Sequence, residues 1–183
     1  MNADLFLNHR YFPHALAALA MAMVLPSLAV GLQFDDYLLR QTILAAPDFS
    51  AAINRPFVFM DGTPDHTRRL MDSGAFPWWA LPGGQVAFWR PLAALTHRID
   101  FYLWPTTETL MHAQNILWFG ALIFVVAVFY RQLMPNVWVA GLAALLYALD
   151  DAHGFAVGWL SNRNALMAMV FGVLALIAHD RWR

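Results

Sequence analysis

The stretch TLMHAQNILWFGALIFVVAVFY, residues 109–130, contains no Asp, Glu, Lys or Arg. A helix needs about 20 apolar residues to cross a hydrocarbon core of ~30 Å, and this segment supplies them. Arg131 ends the run and Pro135 follows. The whole chain has the same character. Of 183 residues 60% are hydrophobic and 13% charged, with a mean hydropathy of +0.50. Soluble domains lie near ~45–50% apolar and ~25% charged, so the composition is that of an integral membrane protein. Bulk disorder is excluded, because it requires low hydrophobicity and high charge.

Three further apolar windows flank the central one. Tyr11–Phe34 carries no Asp, Glu or Arg and follows Arg10. A secretory signal is the rival reading, but the run is long and Ser27-Leu28-Ala29 matches a cleavage site poorly. We read it as a retained span kinked at Pro26, since proline removes a backbone hydrogen bond. Asn136–Leu149 is closed by Asp150-Asp151, and Asn164–Ile177 by His179-Asp180-Arg181-Trp182-Arg183. The expectation is an all-α integral membrane domain over 1–183. Its spans fall at about 12–34, 109–130, 136–150 and 162–179, with a long outer loop over 35–108. Arg10, Arg131, Arg181 and Arg183 then share one side, which the positive-inside rule makes cytoplasmic, with both termini there. The expected location is a bacterial inner membrane.

Charge and residue usage remove several function classes. The formal net charge is −1, which gives no electrostatic footprint for nucleic acid. All eleven basic residues are Arg, so neither Schiff-base chemistry nor a Walker A lysine is available. Cysteine is absent, which excludes thiol nucleophiles, Cys-ligated zinc and disulfides.

The outer loop is rich in aromatics (Trp78-Trp79, Phe88-Trp89) and turn signals such as Pro82-Gly83-Gly84. Within Pro91–Trp104, Leu92, Leu95, Ile99 and Tyr102-Leu103 recur at helical spacing, with His97, Arg98 and Asp100 elsewhere on the wheel. That pattern fits an amphipathic helix lying in the membrane interface, or one packed over the protein's own spans.

Polar residues near the outer ends of the spans are the chemical candidates. Asp35-Asp36 follows the first span, where a helix C-terminus would disfavour two carboxylates. Either they stop the helix in water, or one stands at a pocket to take a proton or bind a cation. Asp150-Asp151-Ala152-His153 is expected at the same face. Arg163, and Arg90 in Phe88-Trp89-Arg90-Pro91-Leu92, either snorkel to headgroups or hold a lipid phosphate in their planar donor forks. His112 and Asn115 lie at i and i+3 on one helix face, as interhelical glue or as part of a site. Together these groups suggest a reaction between a phosphate-bearing lipid and a hydroxyl or amine.

Three of these elements, in order, carry a family resemblance: Phe34-Asp35-Asp36, Trp89-Arg90-Pro91-Leu92 and His112-Ala113-Gln114-Asn115. A fourth runs from Ala143-Ala144-Leu145-Leu146-Tyr147-Ala148-Leu149 through His153, Val157 and Trp159-Leu160-Ser161-Asn162-Arg163 to Leu166. The succession resembles the GT-C class of polytopic glycosyltransferases, in its O-mannosyltransferase-like, TPR-containing transmembrane branch. The resemblance implies transfer of a sugar from a polyprenyl-phosphate donor to a hydroxyl at the non-cytoplasmic face, with inversion. Asp35 or Asp36 would be the general base. Arg163, Arg90 and His153 would hold the donor phosphate, with Asp150, Asp151, His112 and Asn115 in support.

The resemblance requires no cofactor and leaves room for a divalent metal between Asp35 or Asp36 and the second cluster. Where the family pattern has Glu, this chain has Phe155, so the second acidic role falls to Asp150 or Asp151 or is lost. Enzymes of this class carry more spans. The chain therefore resembles the N-terminal part of a larger architecture, completed by a partner chain, or a non-catalytic module that keeps the fold. A small transporter ranks lower, because four spans leave little room for alternating access.

Overall fold

The computed structural model describes residues 7–183; the first six positions of the expected 1–183 domain lie outside them. Two compact units are present. The first is formed by the chain up to Asp36 together with Trp104–Arg183, the second by Tyr37–Leu103.

The first unit is helical and apolar. Helix α1 (Phe12–Met23) runs into a 3-10 turn at Leu25–Ala29. The span expected at 12–34 therefore stops being α-helical at Met23, next to Pro26, which cannot donate to the ladder. Helix α2 (Asp36–Leu44) starts at the unit boundary. The central span is α6 (Glu108–Leu133), followed by α7 (Val137–Ala148), α8 (Ala152–Gly158), a 3-10 turn at Leu160–Asn162 and α9 (Arg163–Trp182). Phe12–Ala29, Glu108–Leu133 and Leu160–Trp182 are long and apolar enough to cross a membrane. The fourth expected span is shorter: α7 has 12 residues and rises about 18 Å.

Hydrogen bonds fix how these helices run. At one end of the unit, the Arg131 guanidinium donates to the Leu7 and His9 carbonyls at 2.7 and 2.8 Å. Gln132 donates to Asp180 at 2.6 Å. At the other end, His112 Nε2 lies 2.9 Å from the Gly31 carbonyl, and Asn115 donates to the Val157 carbonyl at 3.1 Å. So α1 is antiparallel to α6, α9 is parallel to it, and 137–158 brings the chain back between them. The chain makes four passes between two ends.

The core is apolar, built from residues such as Leu16, Ala20, Phe119, Ile123, Ala144, Leu166 and Val170. Gly120 lets α1 approach closely, because a Cβ there would lie 2.5 Å from the Met21 sulfur. Large apolar side chains also face outward along the spans (Leu19, Leu117, Leu146, Met169, Phe171), as lipid-facing helices require.

The second unit lies within the stretch read as the outer loop, and it is folded. It holds α3 (Phe49–Asn54), α4 (Pro64–Asp72), α5 (Pro91–Leu103) and two short antiparallel strands, β1 (Val58–Asp61) and β2 (Gln85–Ala87). Asp48 caps α3 through the Ala51 N–H at 2.8 Å. The strands were not expected from the sequence. They occupy only four and three residues, too few for alternation to register.

Candidate functional site

The acidic pair does not sit at a helix C-terminus. Asp36 opens α2, where the positive end of the helix dipole favours a carboxylate. The link that leads there contains two left-handed residues, Gly31 at φ 72° and Phe34 at φ 43°. A left-handed phenylalanine is uncommon, and it sits immediately before the two acids.

Asp36 is buried, 1% exposed, and both its oxygens are used. One accepts from the Ser161 N–H at 2.7 Å and the Ser161 hydroxyl at 2.5 Å; the other accepts from the Gln33 N–H at 2.9 Å. Asp36 is thereby an anchor that joins the first link to the turn before α9. Asp35 beside it is only half-buried.

Two residues beyond Ser161 stands Arg163, which has no exposed surface. Its Nε donates to Asn115 Oδ1 at 2.6 Å, one terminal nitrogen donates to Gln114 Oε1, and the other to the Met111 carbonyl at 3.1 Å. Asn115 in turn donates to the Val157 and Trp159 carbonyls, at 3.1 and 3.4 Å. His112, on the same face of α6, has its Nε2 on the Gly31 carbonyl. A carbonyl can only accept, so Nε2 carries the proton. His112, Asn115 and Arg163 are all fully buried.

Asp36, Arg163, His112 and Asn115 thus gather at one end of the first unit, with Asp35 next in the chain. Ser161 and Gln114, which belong to the quoted motifs but carried no assigned role, join them, as does Gly31, which lies outside those motifs. The remaining candidates sit on other elements. Asp150 and Asp151 are exposed at the turn between α7 and α8, where Asp150 accepts from the Ala152 N–H. His153 bonds the Tyr147 carbonyl at 2.8 Å, and its ring packs against Phe119 and Tyr147. Arg90 belongs to the second unit, half-buried over the Phe57 and Phe88 rings.

Among the described residues no three His, Asp or Glu side chains gather to hold a metal ion, and both Asp36 oxygens already accept hydrogen bonds. This side-chain arrangement offers a divalent cation no ready ligand set.

The fold and this buried polar end define a mostly helical protein with three helices long and apolar enough to cross a membrane. Over 165 residues it is 28% identical to the protein O-mannosyl-transferase Tmtc1 of Drosophila melanogaster. The match covers 90% of this chain and 18% of that protein. The chain thus spans under a fifth of its curated relative and is related to it at a distance. That relative is eukaryotic, so the expectation of a bacterial inner membrane draws nothing from it. No family model and no solved structure matches the chain.

Proposed function

We propose that the chain is glycosyltransferase-like and acts on a polyprenyl-phosphate-linked sugar at the non-cytoplasmic face, with a hydroxyl as acceptor. The observation that carries the proposal is the joining of Asp36 to Ser161, two residues from Arg163, which sets the acidic pair beside a buried cation. The likeness to an O-mannosyl-transferase supports the same reading.

In this reading Asp35, half-buried and adjacent to the anchored Asp36, is the general base. The acceptor oxygen attacks the anomeric carbon as its bond to the phosphate oxygen breaks. Asp35 takes the hydroxyl proton, and the polyprenyl phosphate leaves with the electron pair. One displacement inverts the anomeric centre. Charge develops on the departing phosphate, where a fixed cation is worth most. Arg163 contributes its field while its Nε and both terminal nitrogens stay on protein acceptors.

One observation favours the non-catalytic alternative: Arg163 and Asp36 both spend their hydrogen bonds on internal packing. Membranes carrying the full chain, given labelled polyprenyl-phosphate mannose and a hydroxyl acceptor, separate the two. Release of polyprenyl phosphate by wild type, reduced at least a hundredfold in Asp35→Asn, supports the enzyme, since a general base contributes about 10²–10⁴-fold. Equal turnover by Asp35→Asn overturns the base assignment. No turnover by wild type favours the module.

A further inference from the structure

Helix α5 buries its polar side and exposes its apolar one. His97 and Asp100 are buried with Ala93, Ala94 and Phe101. Ile99, Leu103 and Tyr102 are 40%, 56% and 84% exposed. The amphipathic face read from the sequence therefore points away from protein. Water would penalise such a face, so it is built for an apolar neighbour.

Between this face and α3 lies a groove of about 320 Å³, lined by Phe49, Leu95, Arg98, Ile99, Tyr102 and Leu103. Five of the six are apolar or aromatic, and the single charge is Arg98. Its guanidinium lies 5.1 Å over the Phe49 ring and makes no hydrogen bond or ion pair among the described residues. A hydrocarbon slot with one cation at its edge and no acid in its lining is complementary to an amphiphile bearing an anionic head. The planar fork of arginine suits a phosphate in particular. In the chain, only residues 104–107 separate Leu103 from Glu108, where a membrane-crossing helix starts. Trp104 in that link is a residue type that favours the headgroup level.

We propose that the α3–α5 groove is a phospholipid site. One acyl chain lies along Leu95, Ile99, Leu103 and Phe49, and the headgroup phosphate sits on Arg98. The occupant is a bilayer phospholipid and not the polyprenyl carrier. The proposal does not depend on sugar transfer.

Photolabelling tests it. The full chain is reconstituted in nanodiscs containing a small fraction of phosphatidylglycerol with a diazirine near the end of one acyl chain, and labelled peptides are mapped after irradiation. Expected is labelling of Phe49 and of residues 95–103. It should fall about tenfold in Arg98→Gln, the size of one charge-assisted phosphate contact. It should be largely kept in Arg98→Lys. Labelling at Leu117 and Met169, exposed on the spans, serves as the bulk-lipid reference and stays unchanged in a folded variant. Excess unlabelled phosphatidylglycerol should compete, whereas polyprenyl phosphate should not. Groove labelling no greater than the reference, labelling indifferent to Arg98→Gln, or competition by polyprenyl phosphate alone overturns the proposal.

Discussion

A buried arginine in a membrane helix is stable only if its donors are met, and Arg163 meets them with a side-chain amide, a second amide and a backbone carbonyl. Removing the guanidinium leaves two buried acceptors, on Asn115 and Met111, short of a donor, each costing about 1–3 kcal/mol, and frees the part-buried Gln114 amide oxygen. Arg163→Met should therefore lower stability by at least about 2 kcal/mol, read as unfolding of the detergent-purified protein. Arg163→Lys should recover less than half, because an ammonium lacks the fork that reaches all three acceptors. Ser161→Ala should cost less, about 1–2 kcal/mol, since the Ser161 N–H still serves Asp36. A result with Arg163→Lys as stable as wild type would show that the fork is not what holds this end together. Arg163, Asn115 and Asp36 were legible as polar residues in apolar surroundings. Ser161 and Gly31 were not, because their part is played through a backbone N–H and a backbone carbonyl, which every residue has.

At the scale of elements, periodicity and length identified the long helices, while ends and polarity were set by local chemistry. The sequence placed Asp36 after a helix; the structure places it at the start of one, because the left-handed link at Gly31 and Phe34 turns the chain before it. Close approach matters in the same way between helices. A Cβ on Gly141 of α7 would lie 3.0 and 3.1 Å from the Leu7 Cβ and carbonyl oxygen, and backbone cannot swing aside. Gly141→Ala should thus cost about 1 kcal/mol through strain and weaken the Arg131 bond to that carbonyl, visible as a lower melting temperature. In the second unit, the Thr63 backbone N–H and then its hydroxyl, with His66 beside them, hold the Asp61 carboxyl below its ordinary 3.8. A depressed folded value means the contribution is present in full above 3.8 and is lost as pH falls through the folded value. Melting curves taken from well above to well below that pH should show wild type losing more stability than Asp61→Asn. A parallel decline of the two would remove Asp61 from the acid response.

The largest-scale feature is the direction of the passes, and it bears on how often the chain crosses. Three segments are long enough to span a bilayer; α7 alone, at about 18 Å, falls short of the ~30 Å core. Length would therefore count three crossings. The hydrogen bonds argue otherwise, because α6 and α9 run parallel with Gln132 on Asp180 at one end and Asn115 on Arg163 at the other. Two parallel neighbours cannot both span unless the chain between them returns. That return is made by α7 and α8 together, from Asn136 beside the Arg131 end to Val157 at the Asn115 end. A short returning pass is tolerable where local thinning or flanking polar residues take up the mismatch. Reporter fusions at Arg131, Gly158 and Arg183 decide the matter. Four crossings put residues 131 and 183 on one side, with 158 on the other, and the arginine bias predicts the shared side to be cytoplasmic. Finding 131 and 158 on the same side would mean that the α7–α8 pass does not cross, and that α6 and α9 cannot both span in the arrangement their hydrogen bonds require.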